Sequence, residues 1–175
     1  SSYTSPIESV ESYFKENADL KKEGDYDDES SAWTNDNNVS VYHKLGQYIT
    51  IKSYHQSYQG GAHPIATTNF YTFDILNKKQ LKASDILNLS DTALLRIGQQ
   101  YFKSDNNIED TASLSGLGYF IFGDGDNYEE SAAYGKFRFN DNFAITKNGI
   151  EFQYNPYEMA PYAAGAPSVT IPYNS

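Results

Sequence analysis

Alternating apolar and polar residues run through much of the chain and predict β-strands. The longest alternating stretch is Tyr48–Tyr58, which places Ile49 and Ile51 on one face and Thr50 and Lys52 on the other. The same pattern predicts further strands at residues 39–45, 67–76, 137–139, 143–146, 150–154 and 169–173. Gly46-Gln47 is the predicted turn between the first two strands.

Helical spacing of apolar residues occurs at two places. Residues 91–103 carry the stronger pattern, and Ser90 or Asp91 is suited to cap this helix. Its apolar stripe consists of Leu94, Leu95, Ile97, Tyr101 and Phe102. A shorter helix is predicted after Ser5-Pro6, and residues 84–87 should form one helical turn.

The clearest hairpin signal is Asn148-Gly149 between two short apolar runs, because Asn-Gly tolerates positive φ at both turn positions. Pro172 suggests that the last strand lies at a sheet edge. Antiparallel strands with helices between them predict an α+β fold.

The length of 175 residues allows about 70% of the extended chain's surface to be buried, which is enough for one domain. Residues 15–38 are rich in charge, Asn and Ser, and we interpret residues 24–38 as a loop or weakly ordered link. The predicted organisation is therefore an N-terminal helix and acidic link at residues 1–32, followed by a domain at residues 33–175. No stretch approaches 18 consecutive apolar residues, so the sequence predicts no membrane-spanning helix.

Composition excludes several classes of function. The net charge is −10, which phosphate backbones repel, so general nucleic-acid binding is not expected. The chain has no Cys, which excludes disulfides, thiolate metal sites and cysteine catalysis. Sixteen Tyr and ten Phe argue against disorder. Residues 1–5 show no initiator Met and no charged-then-apolar leader, as in an exported protein whose signal or lipoprotein segment has been removed.

One candidate site follows the longest predicted strand, in the motif Tyr58-Gln59-Gly60-Gly61-Ala62-His63-Pro64. Two consecutive glycines allow positive φ and a close approach of backbone to a ligand. His63 would lie at the tip, where it could bind a ligand, a metal ion or a proton. The alternative is a tight bend in which His63 bonds to backbone.

A second candidate site is the segment at residues 154–165, which holds three Tyr, two Pro and one carboxylate. Proline pre-orders a loop, so little conformational entropy is lost on binding. Tyr is favoured at binding hot spots. The alternative is a structural loop whose Tyr rings pack on the sheet. The candidate contact residues here are Tyr154, Asn155, Pro156, Tyr157, Glu158 and Tyr162.

Residues 123–130 contain four carboxylates, as Ca²⁺ sites do, but the EF-hand register fails because Glu129 replaces the required Gly and Gly135 the required Glu. We interpret this run as an acidic turn. The sequence contains no nucleophile elbow, no phosphate-binding loop and no zinc-protease motif. We therefore expect no catalytic residue, no metal site and no cofactor.

The two candidate motifs, in this order, resemble the extracytoplasmic domain of unknown function that forms the outer part of RsiV-type anti-sigma factors. Similar domains precede the catalytic domain of PdaC-type peptidoglycan deacetylases. The resemblance covers residues 33–174 and rests on Gly60-Gly61-Ala62-His63 together with Asn155-Pro156-Tyr157-Glu158. It implies an antiparallel β-sheet with two or three helices packed on one face.

The resemblance also implies a function, because the RsiV branch binds lysozyme directly. The leading hypothesis is a non-catalytic exported or envelope-associated binding module for a basic protein such as lysozyme, or for a cell-wall glycan. Tyr58, Gly60, Gly61 and His63 would lie beside the second motif. Two alternatives stay open: a structural envelope domain without a ligand, and a glycan-acting enzyme that uses His63 or Glu158 as general acid or base.

Overall fold

The computed structural model describes residues 34–119 and 137–174, which all belong to a unit spanning Thr34–Ser175. They form two antiparallel sheets. The first has the order β1 (Thr34–Leu45), β2 (Tyr48–Tyr58), β3 (Ile65–Asp74), β4 (Lys79–Gln80). The second has the order β5 (Phe143–Ile145), β6 (Ile150–Gln153), β7 (Ser168–Ile171). Helix α1 is Thr92–Asp105, and 3₁₀ helices occupy Ala83–Asp85, Ser115–Leu117 and Tyr162–Ala164.

The predicted α+β class is confirmed, with two sheets in place of the single sheet expected and one α-helix within the described ranges. The bounds of β2 and the turn after β1 agree with the prediction. The helix predicted after Ser5 and the acidic run at residues 123–130 lie outside the described residues. The domain division between residues 32 and 33 stays a prediction.

Strand β1 begins earlier than its apolar pattern indicates. Residues 34–38, interpreted above as part of a loop, pair with residues 54–58 of β2 in continuous antiparallel register. Backbone ladder bonds do not depend on apolar side chains, so an Asn-rich stretch can extend a strand beside a long partner. The His55 imidazole Nδ1 lies 2.8 Å from Asn37 Oδ1 and links these two strands.

The inner face of the first sheet carries Thr50, Phe70 and Thr72, which are all buried. The hydroxyls of Thr50 and Thr72 lie 2.9 Å apart, and Thr72 also donates to the backbone carbonyl of Phe143 on β5 at 2.8 Å. The inner face therefore packs toward the second sheet through satisfied polar groups, and the buried Phe70 ring packs against Tyr42 of β1.

The free edge of β3 is completed by two asparagine side chains. The Asn142 carboxamide accepts from the Phe70 N–H and donates to the Thr68 carbonyl, both at 2.7 Å. Asn155 Oδ1 accepts from the Thr68 N–H at 2.7 Å. These carboxamides take the place of a neighbouring strand where the short β4 no longer pairs, and they tie the second sheet to the first.

The core lies between α1 and the second sheet, and aromatic rings fill most of it. Asp91 caps α1 as expected, accepting from the N–H groups of Ala93 and Leu94. The buried Phe102 of α1 meets Tyr154 edge-on, with 5.9 Å between ring centroids. The core cluster comprises Ala83, Phe102, Leu114, Phe137, Phe139, Phe143, Ile145, Phe152, Tyr154, Met159, Val169 and Ile171.

Phe137 and Phe139 do not form the predicted strand. Both lie in irregular backbone, and their rings are buried against each other at 4.9 Å between centroids. A Cβ atom built on Gly98 of α1 would lie 2.4 Å from the Phe139 ring and 2.5 Å from the Phe137 ring. Their alternation reflects core packing against the helix instead of ladder pairing.

The predicted hairpin of β5 and β6 is present, but its turn differs from the expected one. Asn148 has no positive φ, whereas Gly149 has φ of 151°. A Cβ atom on Gly149 would lie 2.1 Å from the Ile171 carbonyl oxygen, so glycine is required there by the close approach of β7. Strand β7 lies at the edge of its sheet, as Pro172 suggests.

Candidate functional site

The two candidate motifs meet in space at one end of the first sheet. The His63 imidazole stacks on the Tyr162 ring, with centroids 3.5 Å apart and planes 9° from parallel. The Tyr157 hydroxyl lies 3.4 Å from His63 Nε2, and the Tyr157 and Tyr162 rings are 6.0 Å apart. We call Tyr58, His63, Tyr157 and Tyr162 the tyrosine–histidine surface.

The connection between β2 and β3 presents His63. Gly60 and Gly61 have φ of 91° and 98°, a region that side-chain-bearing residues rarely adopt. The Tyr58 hydroxyl donates to the Gly61 carbonyl at 2.9 Å and closes this turn. Both glycines thus adopt the positive φ that the sequence predicts, and their contact with a ligand stays a prediction.

The hydrogen bonds of His63 assign its tautomer. Nδ1 lies 3.2 Å from the Pro64 carbonyl, which can only accept, so Nδ1 carries the proton in the neutral ring. Nε2 then accepts from the Tyr157 hydroxyl. The Tyr162 hydroxyl donates to the same Pro64 carbonyl at 2.9 Å. Neighbouring groups thus hold the orientation of the imidazole.

The loop after β6 is held by its own hydrogen bonds. The Glu158 N–H donates to the Asn155 carbonyl at 3.0 Å, and the Glu158 carboxylate accepts from the Asn155 N–H at 2.8 Å. Asn140 Nδ2 donates to the same carboxylate at 3.2 Å. The Tyr157 N–H donates to the Ala160 carbonyl at 3.1 Å. Asn155 and Glu158 thus shape the loop that carries Tyr157.

Tyr157 adopts an uncommon backbone conformation for a bulky residue. Its φ is 71°, in the left-handed region, and its side chain is 44% exposed. Such a conformation costs about 1–3 kcal/mol and persists only where the surrounding structure imposes it. Holding an aromatic ring at the surface beside His63 therefore destabilises the loop backbone, and the other contacts of the loop offset this cost.

Tyr154 differs from its neighbours because it belongs to the core. Its hydroxyl donates to the Arg138 carbonyl at 2.7 Å, and burial raises the pKa of its phenol well above the usual value. Pro156 lies between two depressions, one of about 440 Å³ and one of about 280 Å³. The larger one includes Arg138, Asn140 and Tyr157 in its lining, and the smaller one includes Tyr54, Thr68 and Tyr162.

Two further features of the described ranges concern metal binding and membrane insertion. Within residues 34–119 and 137–174, no group of three His, Cys, Asp or Glu side chains is placed to hold a metal ion. No helix in the same ranges is long and apolar enough to cross a membrane.

Sequence reasoning missed two contributors to this site. The Pro64 carbonyl orients both His63 and Tyr162, and Asn140 supports Glu158 from outside the motif. A backbone acceptor carries no sequence signal, and one Asn among many is not distinctive.

The geometry defines a two-sheet α+β domain with an exposed histidine and tyrosine cluster at the end of one sheet. Residues 74–174 match the model of a family described as a protein of unknown function, DUF3298. The chain belongs to the DUF3298 family. No curated protein matches the chain.

Solved structures of family members share the fold. A DUF3298 protein from Bacteroides fragilis has a TM-score of 0.66 and 25% identity over 95% of this chain. A family member from Pseudomonas aeruginosa has a TM-score of 0.63 and 18% identity over 94% of this chain. The chain spans 60% and 66% of their respective lengths. Neither comparison distinguishes the RsiV-type and PdaC-type branches, so that finer resemblance stays a prediction.

Proposed function

We propose that this domain is a non-catalytic binding module of an exported or envelope-associated protein, and that the tyrosine–histidine surface contacts its ligand. The observation that carries the proposal is the exposed Tyr157 ring, held on left-handed backbone at a surface position. Strained residues cluster at ligand clamps and active sites. The Tyr157 ring combines this backbone conformation with an exposed position beside His63, which suits contact with a ligand.

The supporting contacts favour rigid presentation of this surface. The carboxylate of Glu158 holds one side of the loop, and the stack of His63 on Tyr162 holds the other. A contact surface that is already ordered loses little conformational entropy on binding. Tyrosine also offers a large amphipathic area with few rotatable bonds, which suits a binding anchor.

The arrangement favours binding over catalysis. Of the two groups considered as general acid or base, the Glu158 carboxylate is engaged by the Asn155 N–H and Asn140 Nδ2. His63 faces the phenol of Tyr157 and the carbonyl of Pro64. Both groups therefore have structural partners that a substrate would have to displace.

The proposed ligand is a basic protein such as a lysozyme. The net charge of −10 gives long-range attraction toward a cationic partner and raises its association rate at low salt. Affinity that survives higher salt then requires short-range contacts, which Tyr157 and its neighbours would supply.

Isothermal titration of the whole chain with a basic lysozyme, at 50 and 300 mM NaCl, tests this proposal. The informative variant is Tyr157→Asn, because Asn tolerates left-handed backbone while the aromatic ring is lost. The control is Tyr173→Asn, the same exchange at an exposed tyrosine outside the surface. We expect saturable binding at both salt concentrations, at least tenfold weaker in Tyr157→Asn and unchanged in Tyr173→Asn.

Other outcomes contradict the proposal in distinct ways. Binding that disappears at 300 mM NaCl for every variant would show charge attraction without a specific surface. If Tyr157→Asn and Tyr173→Asn bind lysozyme with equal affinity, the tyrosine–histidine surface does not contribute to the contact. Binding of soluble peptidoglycan fragments in place of lysozyme would change the class of ligand to a cell-wall glycan.

A further inference from the structure

The outer face of the first sheet, opposite the second sheet, carries a cluster of exposed and half-buried apolar side chains near the end of the sheet at the β1–β2 turn. Antiparallel register places Val41, Ile51 and Tyr71 in one row across β1, β2 and β3. Ile49 and Phe73 share the adjacent row. We call these five residues, with Val39 and Ile75, the apolar sheet face. Val39 and Val41 are 69% and 64% exposed, and Tyr71 and Ile75 are also exposed.

A β-bulge fixes which way β1 faces. The register shifts between Val41 and His43, so one extra residue lies opposite the regular strand β2. The hydroxyl of Tyr42, the extra residue of the bulge, donates to the Glu151 carboxylate at 2.9 Å, and His43 Nε2 accepts from the Lys147 N–H at 3.1 Å. Both residues are thereby tied to the second sheet, and Val41 is directed outward.

A one-residue shift of β1 would turn Val39 and Val41 to the inner face, and two specific contacts oppose this shift. Shifting a strand by one residue moves every side chain to the other face. Such a shift in β1 would break the bonds of Tyr42 and His43 to the hairpin of β5 and β6. The contacts of Tyr42 and His43 therefore fix Val39 and Val41 on the outer face.

The apolar sheet face also lacks acidic groups, in a chain with 23 Asp and Glu against 13 Lys and Arg. Among Lys, Arg, His, Asp and Glu, the register places only Lys44 and His55 on the outer face of the described strands. The carboxylates of Asp36 and Asp74 belong to the inner rows. Two acidic copies that meet at this face therefore bring no carboxylate of the described strands directly into contact.

We propose that the apolar sheet face binds the same face of a second copy of this chain, as a symmetric sheet-on-sheet dimer. Two sheets pack well when their strands are nearly aligned, about 10 Å apart, and a two-fold axis makes one patch serve both partners. A basic partner, by contrast, would find no carboxylate among the described residues of this face.

The dimensions of the face indicate a weak dimer. Ten paired rows at about 3.3 Å and three strands at about 4.8 Å give the whole outer face about 33 Å by 14 Å, or about 460 Å² of flat area per copy, and the apolar sheet face takes up about half of it. Two copies in contact over the whole outer face would bury about 900 Å², which is below the size of stable specific interfaces and fits transient association. The dimer should therefore form at high micromolar concentration and not at nanomolar concentration.

Sedimentation equilibrium of the whole chain from 5 µM to 1 mM, at 50 and 500 mM NaCl, tests the dimer. We expect the average mass to rise toward that of a dimer with concentration, and more steeply at 500 mM NaCl because salt screens the repulsion between acidic copies. A basic ligand on the tyrosine–histidine surface would show the opposite salt dependence, so failure of one proposal leaves the other testable.

Val41→Glu places like charges against each other across the interface and should weaken the dimer at least tenfold. Gln100→Glu adds the same charge on the exposed surface of α1 and should change nothing. If Val41→Glu fails to fold, NMR of the wild-type chain still tests whether the apolar sheet face forms the dimer interface. Dilution from 1 mM should shift the amide signals of Val39, Val41 and Tyr71 and leave those of α1 in place. A chain that stays monomeric to 1 mM, or a dimer insensitive to Val41→Glu, would overturn the proposal.

Discussion

The imidazole of His63 lies flat against the phenol ring of Tyr162, with 3.5 Å between the ring centroids. The two residues are also joined through the Pro64 carbonyl, which accepts from His63 Nδ1 and from the Tyr162 hydroxyl. A stack and a shared acceptor together connect two segments that are 99 positions apart in the sequence, and they set the distance between the two motifs.

The first prediction concerns this connection. Tyr162→Phe keeps the stack and removes one hydrogen bond, so it should lower the free energy of unfolding by about 1 kcal/mol. Tyr162→Leu removes the stack as well and should cost more. NMR signals of the His63 ring protons provide the check: they should stay near their wild-type positions in Tyr162→Phe and lose the ring-current shift in Tyr162→Leu. Identical spectra for both variants would contradict the stack.

The second prediction concerns Gly98, where helix propensity and packing oppose each other. Replacing an interior helical Gly by Ala favours the helix by about 1 kcal/mol. At Gly98 the added methyl would meet the Phe137 and Phe139 rings at 2.4–2.5 Å, and overpacking costs about 1–3 kcal/mol. We expect Gly98→Ala to be destabilising in urea unfolding, whereas Gln100→Ala on the exposed side of α1 should be neutral or slightly stabilising. A stabilised Gly98→Ala would show that the rings move aside easily.

The third prediction concerns the edge of β3. Asn142→Ala leaves the Phe70 N–H and the Thr68 carbonyl without their partners, and each unsatisfied group costs about 1–3 kcal/mol. Hydrogen exchange should become faster at the Phe70 amide. The Leu81 amide donates to the Thr72 carbonyl further along the same edge and serves as the internal control. Equal acceleration at both amides would indicate global destabilisation instead of a local lost bond.

The fourth prediction concerns alkaline pH. Burial, together with the hydrogen bond and charge of Glu151, raises the pKa of Tyr42 from 10.0 to about 12. A pKa that is higher in the folded state means that the stabilisation is complete below pH 10 and is lost as pH rises toward 12. Stability measured between pH 9 and 12 should fall less steeply in Tyr42→Phe than in the wild type. Equal slopes would show that Tyr42 ionises as freely in the folded protein as in the unfolded chain.

Local patterns predicted the elements of this fold better than their arrangement. Alternation gave the bounds of β2, and spacing with a cap residue gave α1 to within two residues. Alternation also separates the two faces of a strand, but it does not say which face is buried. In the first sheet the aliphatic residues Ile49 and Ile51 face outward, while Thr50 is buried on the inner face, where its hydroxyl pairs with that of Thr72.

Sequence reasoning reached the candidate site in part. It named both motifs, and the structure brings His63 to Tyr157 and Tyr162. It gave no reason to expect that Asn142 and Asn155 would complete the edge of β3, because such bonds depend on tertiary placement. The left-handed backbone of Tyr157 could not be predicted from the sequence either, because bulky residues rarely adopt that conformation.

The asparagine bridges have a consequence for synthesis on the ribosome. The groups that complete the edge of β3 come 72 and 87 positions after the residues they bind. At about 5–20 residues per second, 87 residues take about 4–17 s to appear. Until those residues have been made, the edge of the nascent first sheet would stay incomplete, and its protection from pairing with other nascent chains depends on Asn142 and Asn155.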